Sequence, residues 1–234
     1  MSTSSISSPV SLTWQAAARM IDHTVLKPDA TREQVEKLCR EAARFEFASV
    51  CVNATWVSLA AEILRGTPVK VCTVVGFPLG ATLTSVKQYE AEQTMHLGAT
   101  ELDMVMNVGA MKSGDLARVE ADIQGVAEVV HRGGAALKVI LENVLLTNEE
   151  KVAACEICLR AGAEFVKTST GFASAGATTA DVALMRATIG SKAGVKAAGG
   201  IRTAADFRAM VAAGANRVGA SASIAILKEL GYSE

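Results

Sequence analysis

Short apolar runs alternate with stretches of helical periodicity along nearly the whole chain. The first run covers residues 21–25, and a turn at Pro28-Asp29-Ala30-Thr31 closes it. Val35, Leu38, Cys39 and Ala42 follow at i, i+3, i+4, i+7, the spacing of one buried helix face. Thr31 with Gln34 predicts a capping box at that helix start. Runs at 47–52 and 69–77 come next, each followed by a helical pattern, the second of these from about residue 85 to 97. The chain then repeats a phrase. Gly98-Ala99 precedes a run at 102–106, Gly134-Ala135 one at 137–141, Gly162-Ala163 one at 165–167, and Gly214-Ala215 one at 217–219. Each glycine closes a helical pattern where a left-handed residue is needed. Thr147 with Glu150, Thr178 with Asp181 and Thr203 with Asp206 mark helix starts, and 194–198 supplies one more strand.

Eight strands, each followed by a helix, with no break between them, predict a single (β/α)8 TIM barrel over residues 13–234. A short helix at 14–20 leads in, and residues 1–12 read as a flexible leader. The alternative is an open doubly wound sheet, but no G-x-G-x-x-G follows the first strand. Composition agrees with the barrel. Half of the 234 residues are hydrophobic but only 4% are aromatic, so Ala, Val, Leu and Ile must build the core, as in parallel strands covered by helices.

Charge and cysteine content exclude several function classes. With 23 basic and 24 acidic residues and no basic patch, nucleic-acid or membrane-surface binding has no support. No apolar run reaches membrane-spanning length, and the Ser-rich leader lacks the features of a signal peptide, so a cytoplasmic protein is expected. Cys39, Cys51, Cys72, Cys155 and Cys158 lie in apolar segments, as reduced core thiols do. Cys155 and Cys158 form a lone C-x-x-C within a helical pattern, and no H-x-x-x-H occurs, so neither a metal nor a cofactor is expected.

The candidate chemistry lies at the predicted C-terminal strand ends, where barrel active sites are built. By two-residue alternation Asp103, Val105 and Asn107 share a face, as do Lys138, Ile140 and Glu142. Lys167 and Lys196 end or approach the ends of the next two strands. Asp103, Lys138, Lys167 and Lys196 can therefore converge in one barrel mouth. A lysine at a strand end also occurs as a snorkelling side chain, and buried acids and lysines also form purely structural networks. Two ammonium groups on adjacent strands argue otherwise. At about 4 Å and an effective dielectric of ~20 they repel by roughly 4 kcal/mol, enough to depress one lysine well below its ordinary value. A lysine so depressed is a Schiff-base nucleophile. The loops after strands seven and eight contain Gly199-Gly200 and Gly219-Ala220-Ser221, and helix starts at Thr203 and near Ser221 follow them. This is a phosphate-binding pattern in barrels.

Ile21-Asp22-His23-Thr24-Val25-Leu26-Lys27-Pro28, the stretch 101–107, Val166-Lys167-Thr168-Ser169-Thr170-Gly171-Phe172 and the stretch 195–203 together resemble the deoxyribose-phosphate aldolases, a family of class I (Schiff-base) aldolases. The resemblance covers the whole barrel. It implies metal-free, cofactor-free, reversible cleavage of 2-deoxy-D-ribose 5-phosphate to acetaldehyde and D-glyceraldehyde 3-phosphate. In it Lys167 matches the Schiff-base lysine, Asp103 and Lys196 the proton-transfer pair, and Lys138 a lysine supporting Asp103. Gly171, Gly199, Gly200, Gly219 and Ser221 match phosphate-side positions, and Asp22 and Thr24 match first-strand residues near the substrate hydroxyls. The expected partners are the sugar phosphate, acetaldehyde and further copies of the chain in a dimer or tetramer. Asn143 and Ala222 depart from residues common in relatives. Tyr232 stands near a C-terminal position where some relatives use a tyrosine in proton transfer. A Schiff-base aldolase of another sugar phosphate and a non-catalytic sugar-phosphate-binding barrel are the competing readings.

Overall fold

Parallel strands with Val, Ile and Ala on both faces cannot leave either face in water, and here they close on themselves. A computed structural model describes residues 12–233, so the expectation of a flexible leader falls, Leu12 apart, outside the described residues. Helix α1 (Trp14–Ala18) leads into β1 (Ile21–Val25), α2 (Arg32–Phe45), β2 (Ser49–Val52), α3 (Val57–Ile63), β3 (Lys70–Val75) and α4 (Thr84–His96). Then come β4 (Glu101–Val105), α5 (Val108–Lys112), α6 (Leu116–Arg132), β5 (Ala136–Ile140), α7 (Asn148–Arg160) and β6 (Phe165–Lys167). The chain ends with α8 (Thr179–Ile189), β7 (Gly194–Ala198), α9 (Ala204–Ala212), β8 (Arg217–Ala220) and α10 (Ser223–Glu229). The strands form a closed parallel barrel in sequential order, β8 pairing back onto β1. The fold is the TIM barrel that the periodicity predicts.

Local chemistry sets the element ends. Thr31, Thr147 and Thr203 each close a capping box, and Thr178 accepts a hydrogen bond from the Asp181 N–H. Such caps contribute about 1 kcal/mol each by satisfying otherwise orphaned donors. The glycines that separate helix from strand take left-handed backbones, as at Gly98 (φ 108°) and Gly214 (φ 114°). At Gly214 a side chain would also meet Arg186 at 2.7 Å, so both conformation and space select glycine. Between barrel and helices the core is aliphatic, with Val35, Val50, Leu102, Ile123, Leu137, Val166 and Ile226 essentially sealed from water. The five cysteines are buried free thiols. Among the described residues no helix is long and apolar enough to cross a membrane.

Candidate active site

Strand register assembles the site. Asp103 on β4 pairs with Lys138 on β5, and Lys167, Lys196 and Arg217 are partners across β6, β7 and β8. All point into the barrel, where Asp103 is the centre. Its Oδ2 accepts from Lys167 Nζ at 2.7 Å and Lys196 Nζ at 2.6 Å, and its Oδ1 from Lys138 Nζ at 2.9 Å. The Cys72 thiol adds a fourth donor to Oδ1 at 3.2 Å. Below, Glu101 takes Lys138 at 2.6 Å and accepts from Arg217 Nη2 on both oxygens, while Asp22 takes Arg217 Nε at 2.8 Å and pairs with Lys196. Asp103 and Lys138 are fully buried and Lys196 nearly so.

Three carboxylates thus face four cations in a volume mostly shut off from water, with Glu101 and Arg217 partly exposed at its lower edge and Lys167 reaching its upper one. Burial alone would push the Asp103 carboxyl up, but Lys138, Lys167 and Lys196 hold it well below its ordinary range. Asp22 is likewise pushed up by burial and pulled down by Lys196, Lys138 and Arg217, ending at about 2. The cations respond in kind. Burial opposes the charges of Lys196, Lys138 and Arg217 alike, yet Asp103 and Asp22 raise Lys196, Asp103, Asp22 and Glu101 raise Lys138, and Asp22 and Glu101 raise Arg217 above their ordinary values. Lys138, Lys196 and Arg217 are fixed charges. The expected bare repulsion between Lys167 and Lys196 is not what the barrel contains, because one carboxylate oxygen lies between the two ammonium groups and offsets most of it.

Above this layer a cavity of about 440 Å³ opens at the C-terminal strand ends. Of the charged layer only Lys167 lines it; Thr24, Thr170, Gly171, Gly199, Gly200, Gly219 and Ser221 line its walls. The glycines form one end. Gly171, Gly199 and Gly200 have φ of 86°, 88° and 81°, turning peptide groups that a side chain would otherwise cover. Gly176 is held against this turn: a Cβ there would lie 2.2 Å from the Gly199 carbonyl oxygen. The Ala177 N–H donates to that oxygen at 3.1 Å, so the loops after β6 and β7 brace each other.

The predicted residues separate into two groups. Asp103, Lys138, Lys167 and Lys196 meet in the charged layer; Thr24, Gly171, Gly199, Gly200, Gly219 and Ser221 line the cavity. Asp22 belongs to the layer beneath and not to the cavity wall. The expected alternation ends early, since Asn107 caps α5 through Ala110 N–H and Glu142 lies past β5 with a left-handed backbone (φ 58°). Glu142 is nevertheless buried, and it accepts from both the N–H and the hydroxyl of Thr170, fixing the turn that carries Gly171. Helix α10, expected as an anion-attracting start near Ser221, begins at Ser223 and is seven residues long. Tyr232 docks on Trp14 and Phe45, its hydroxyl accepting from Arg44 at 2.7 Å, next to the helix that enters the opposite end of the barrel. Asn143 is buried behind β5 and does not line the cavity, and neither does Ala222. Sequence reasoning missed Glu101, Arg217 and Cys72. It also missed Lys27 and Arg202, exposed cations at the cavity mouth, although Lys27 directly follows Leu26 and Arg202 follows Gly199-Gly200-Ile201.

Known proteins resemble this chain over most of its length. The model of the DeoC/LacD family aldolases matches residues 16–230. A deoxyribose-phosphate aldolase of Lysinibacillus sphaericus is 56% identical over 216 residues, covering 92% of this chain and 96% of that protein. One from Bacillus mycoides is 58% identical over 210 residues, covering 90% and 94%. The deoxyribose phosphate aldolase of Aeropyrum pernix, whose structure is tetrameric, superposes with a TM-score of 0.87 at 34% identity, covering 92% of this chain and 91% of that one.

Proposed function

Since the chain belongs to the DeoC/LacD family of aldolases, we propose that it reversibly cleaves 2-deoxy-D-ribose 5-phosphate to acetaldehyde and D-glyceraldehyde 3-phosphate through a Schiff base on Lys167. One observation carries the residue assignment. Lys167 is the member of the buried charged layer that reaches the cavity wall, with Asp103 2.7 Å behind it.

The residues then take these roles. Neutral Lys167 Nζ adds to the aldehyde carbon of the open-chain sugar, and loss of water gives an iminium. A base removes the proton of the C3 hydroxyl; the C2–C3 bond breaks, its electron pair moves to the iminium, and D-glyceraldehyde 3-phosphate leaves. The enamine takes a proton at C2, and water hydrolyses the resulting iminium to release acetaldehyde and free Lys167. Asp103, with no direct access to the cavity, exchanges protons with the bound sugar through one bridging water. Lys196 stays cationic and holds Asp103 ionised. Acid–base assistance of this kind is typically worth ~10²–10⁴ in rate. Lys138 and Cys72 support the Oδ1 side. The phosphate rests at the end formed by Gly171, Gly199, Gly200, Gly219 and Ser221, and Thr24 faces the sugar hydroxyls. Asp22 acts from below, as the second carboxylate on Lys196.

No metal or cofactor is required. Cys51, Cys72 and Asp103 carry donor atoms within 4.8 Å of one another, as do Asp22, Cys72 and Glu101, but their carboxylates are already engaged by ammonium and guanidinium groups. A cytoplasmic homo-oligomer is the supported setting: the cysteines are free thiols, the Aeropyrum pernix relative is a tetramer, and Leu79, Leu83, Val86 and Tyr89 are exposed together on the β3–α4 loop and α4.

Borohydride reduction in the presence of acetaldehyde tests the mechanism. The expected product carries one ethyl group on Lys167, located by peptide mass spectrometry. Active enzyme that is trapped at another lysine, or not trapped, overturns the assignment.

A further inference from the structure

Next to the glycine-lined end of the cavity runs a second buried polar chain that touches none of the reacting groups. His23 on β1 is 3% exposed. Its Nε2 lies 2.9 Å from Glu41 Oε2 on α2, and its Nδ1 lies 2.9 Å from Ser223 Oγ, the first residue of α10. Ser223 is fully buried, and its hydroxyl donates to the Ala220 carbonyl at 3.0 Å. Ala220 ends β8 between Gly219 and Ser221, and all three line the cavity.

Proton counting fixes what each member does. An ionised carboxylate only accepts, so Nε2 carries a proton toward Glu41. A hydroxyl has one proton; if Ser223 gives it to Ala220, its oxygen can only accept, and Nδ1 must donate to it. The three contacts coexist only when both ring nitrogens are protonated. With one ring proton, Ser223 serves either Nδ1 or the Ala220 carbonyl, not both.

We propose that His23 is a positioning residue for phosphate recognition, holding Ser223 against the Ala220 carbonyl and so fixing the turn of Gly219, Ala220 and Ser221 on which the substrate phosphate rests. The ring is faced by Glu41 and Lys37 from α2, Ser223 from α10, the Ala220 carbonyl from β8, and the Phe47 ring at 4.9 Å. Burial lowers His23 from its ordinary value, and Glu41 opposes that shift. Protonation therefore completes the chain only as the pH falls below the usual histidine range. This inference rests on the reading of the glycine-lined end as the phosphate site.

The test compares 2-deoxyribose 5-phosphate with unphosphorylated 2-deoxyribose in four variants. Measured at a pH low enough to protonate His23, Ser223→Ala, which lacks the hydroxyl, and His23→Gln, which lacks the Nδ1 donor that directs that hydroxyl to Ala220, should raise KM for the phosphorylated sugar about tenfold, the effect of one lost hydrogen bond. Their kcat should stay within about twofold, with kcat/KM for the unphosphorylated sugar unmoved. His23→Asn places an amide donor where Nδ1 stood and should restore the KM. The ratio of wild-type to His23→Asn KM should fall with decreasing pH, because ionisation of the sugar phosphate itself cancels in that ratio. Equal losses on both substrates, or no loss on either, overturn the proposal, and Ser223→Ala decides the matter if His23→Gln does not fold. Ser221→Asp puts a carboxylate into the phosphate site and should abolish the preference for the phosphorylated sugar. If it does not, the phosphate site is misplaced; if it does while Ser223→Ala changes nothing, only the role of His23 fails.

Discussion

Lys196 and Lys167 donate to the same oxygen of Asp103, at 2.6 and 2.7 Å. The carboxylate is therefore both the brake on their mutual repulsion and the route by which a proton on one is felt by the other. When Lys167 is neutral, Asp103 keeps Lys196 as a charged partner, and its second oxygen keeps Lys138.

Lys196→Met removes that partner and leaves Asp103 and Asp22 short of one cation. We expect kcat to fall by at least about 10² and stability by ~3–5 kcal/mol, the cost of orphaning a buried charge. Removal of a neighbouring positive charge should also move the acid limb of the pH–rate profile to higher pH. A kcat loss with an unmoved profile would show that Lys196 acts only in folding.

Gly176→Ala strikes the brace between the β6 and β7 loops. The new methyl would sit 2.2 Å from the Gly199 carbonyl oxygen, so Gly199 must move. The expected result is a KM for the phosphorylated sugar raised about tenfold or more, with Lys167 still trapped by borohydride and acetaldehyde.

Acid should weaken the protein through Asp22. Its folded-state value is about 2 against an ordinary 3.8, so its stabilisation is complete above pH ~4 and is lost as the pH falls toward ~2. The shift corresponds to about 2 kcal/mol. Chemical denaturation of wild type and Asp22→Asn should show their stability gap closing by that amount over this window.

Dialysis against EDTA should leave the rate unchanged. The donor clusters around Cys72 are already occupied by Lys138, Lys196 and Arg217, which would have to be displaced for a divalent cation to enter. A loss of activity restored by a divalent metal would refute the lysine mechanism.

Tyr232→Phe should keep kcat within about twofold and cost less than ~1 kcal/mol, since among the described residues its hydroxyl meets Arg44 alone, at an exposed contact. Thermal melting and steady-state rates check both halves.

The barrel was legible because its signals are local. Capping threonines and left-handed glycines mark many of the element ends, and Lys167 and Lys196 fall where the strand pattern ends. Glu101 and Arg217 were not legible as a pair. They stand 116 positions apart and meet only because the barrel closes. Asp22 was read for its neighbourhood on β1, but its depth in the barrel depends on the stagger of β8 against β1, which no local pattern encodes. The same holds for Asp103 as a shared partner: the two lysines could be placed on neighbouring strands, but the oxygen between them comes from β4.

The register that brings Asp103, Lys138, Lys167 and Lys196 together also acts as a proofreader of the barrel. Because inward and outward positions alternate, a one-residue slip of β6 or β7 would turn a lysine out among aliphatic helices and strand the acids it leaves. A misclosed barrel is penalised by the same charges that perform the reaction. A buried, paired Lys167 is therefore the mark of a β6 strand that has not slipped by a single residue.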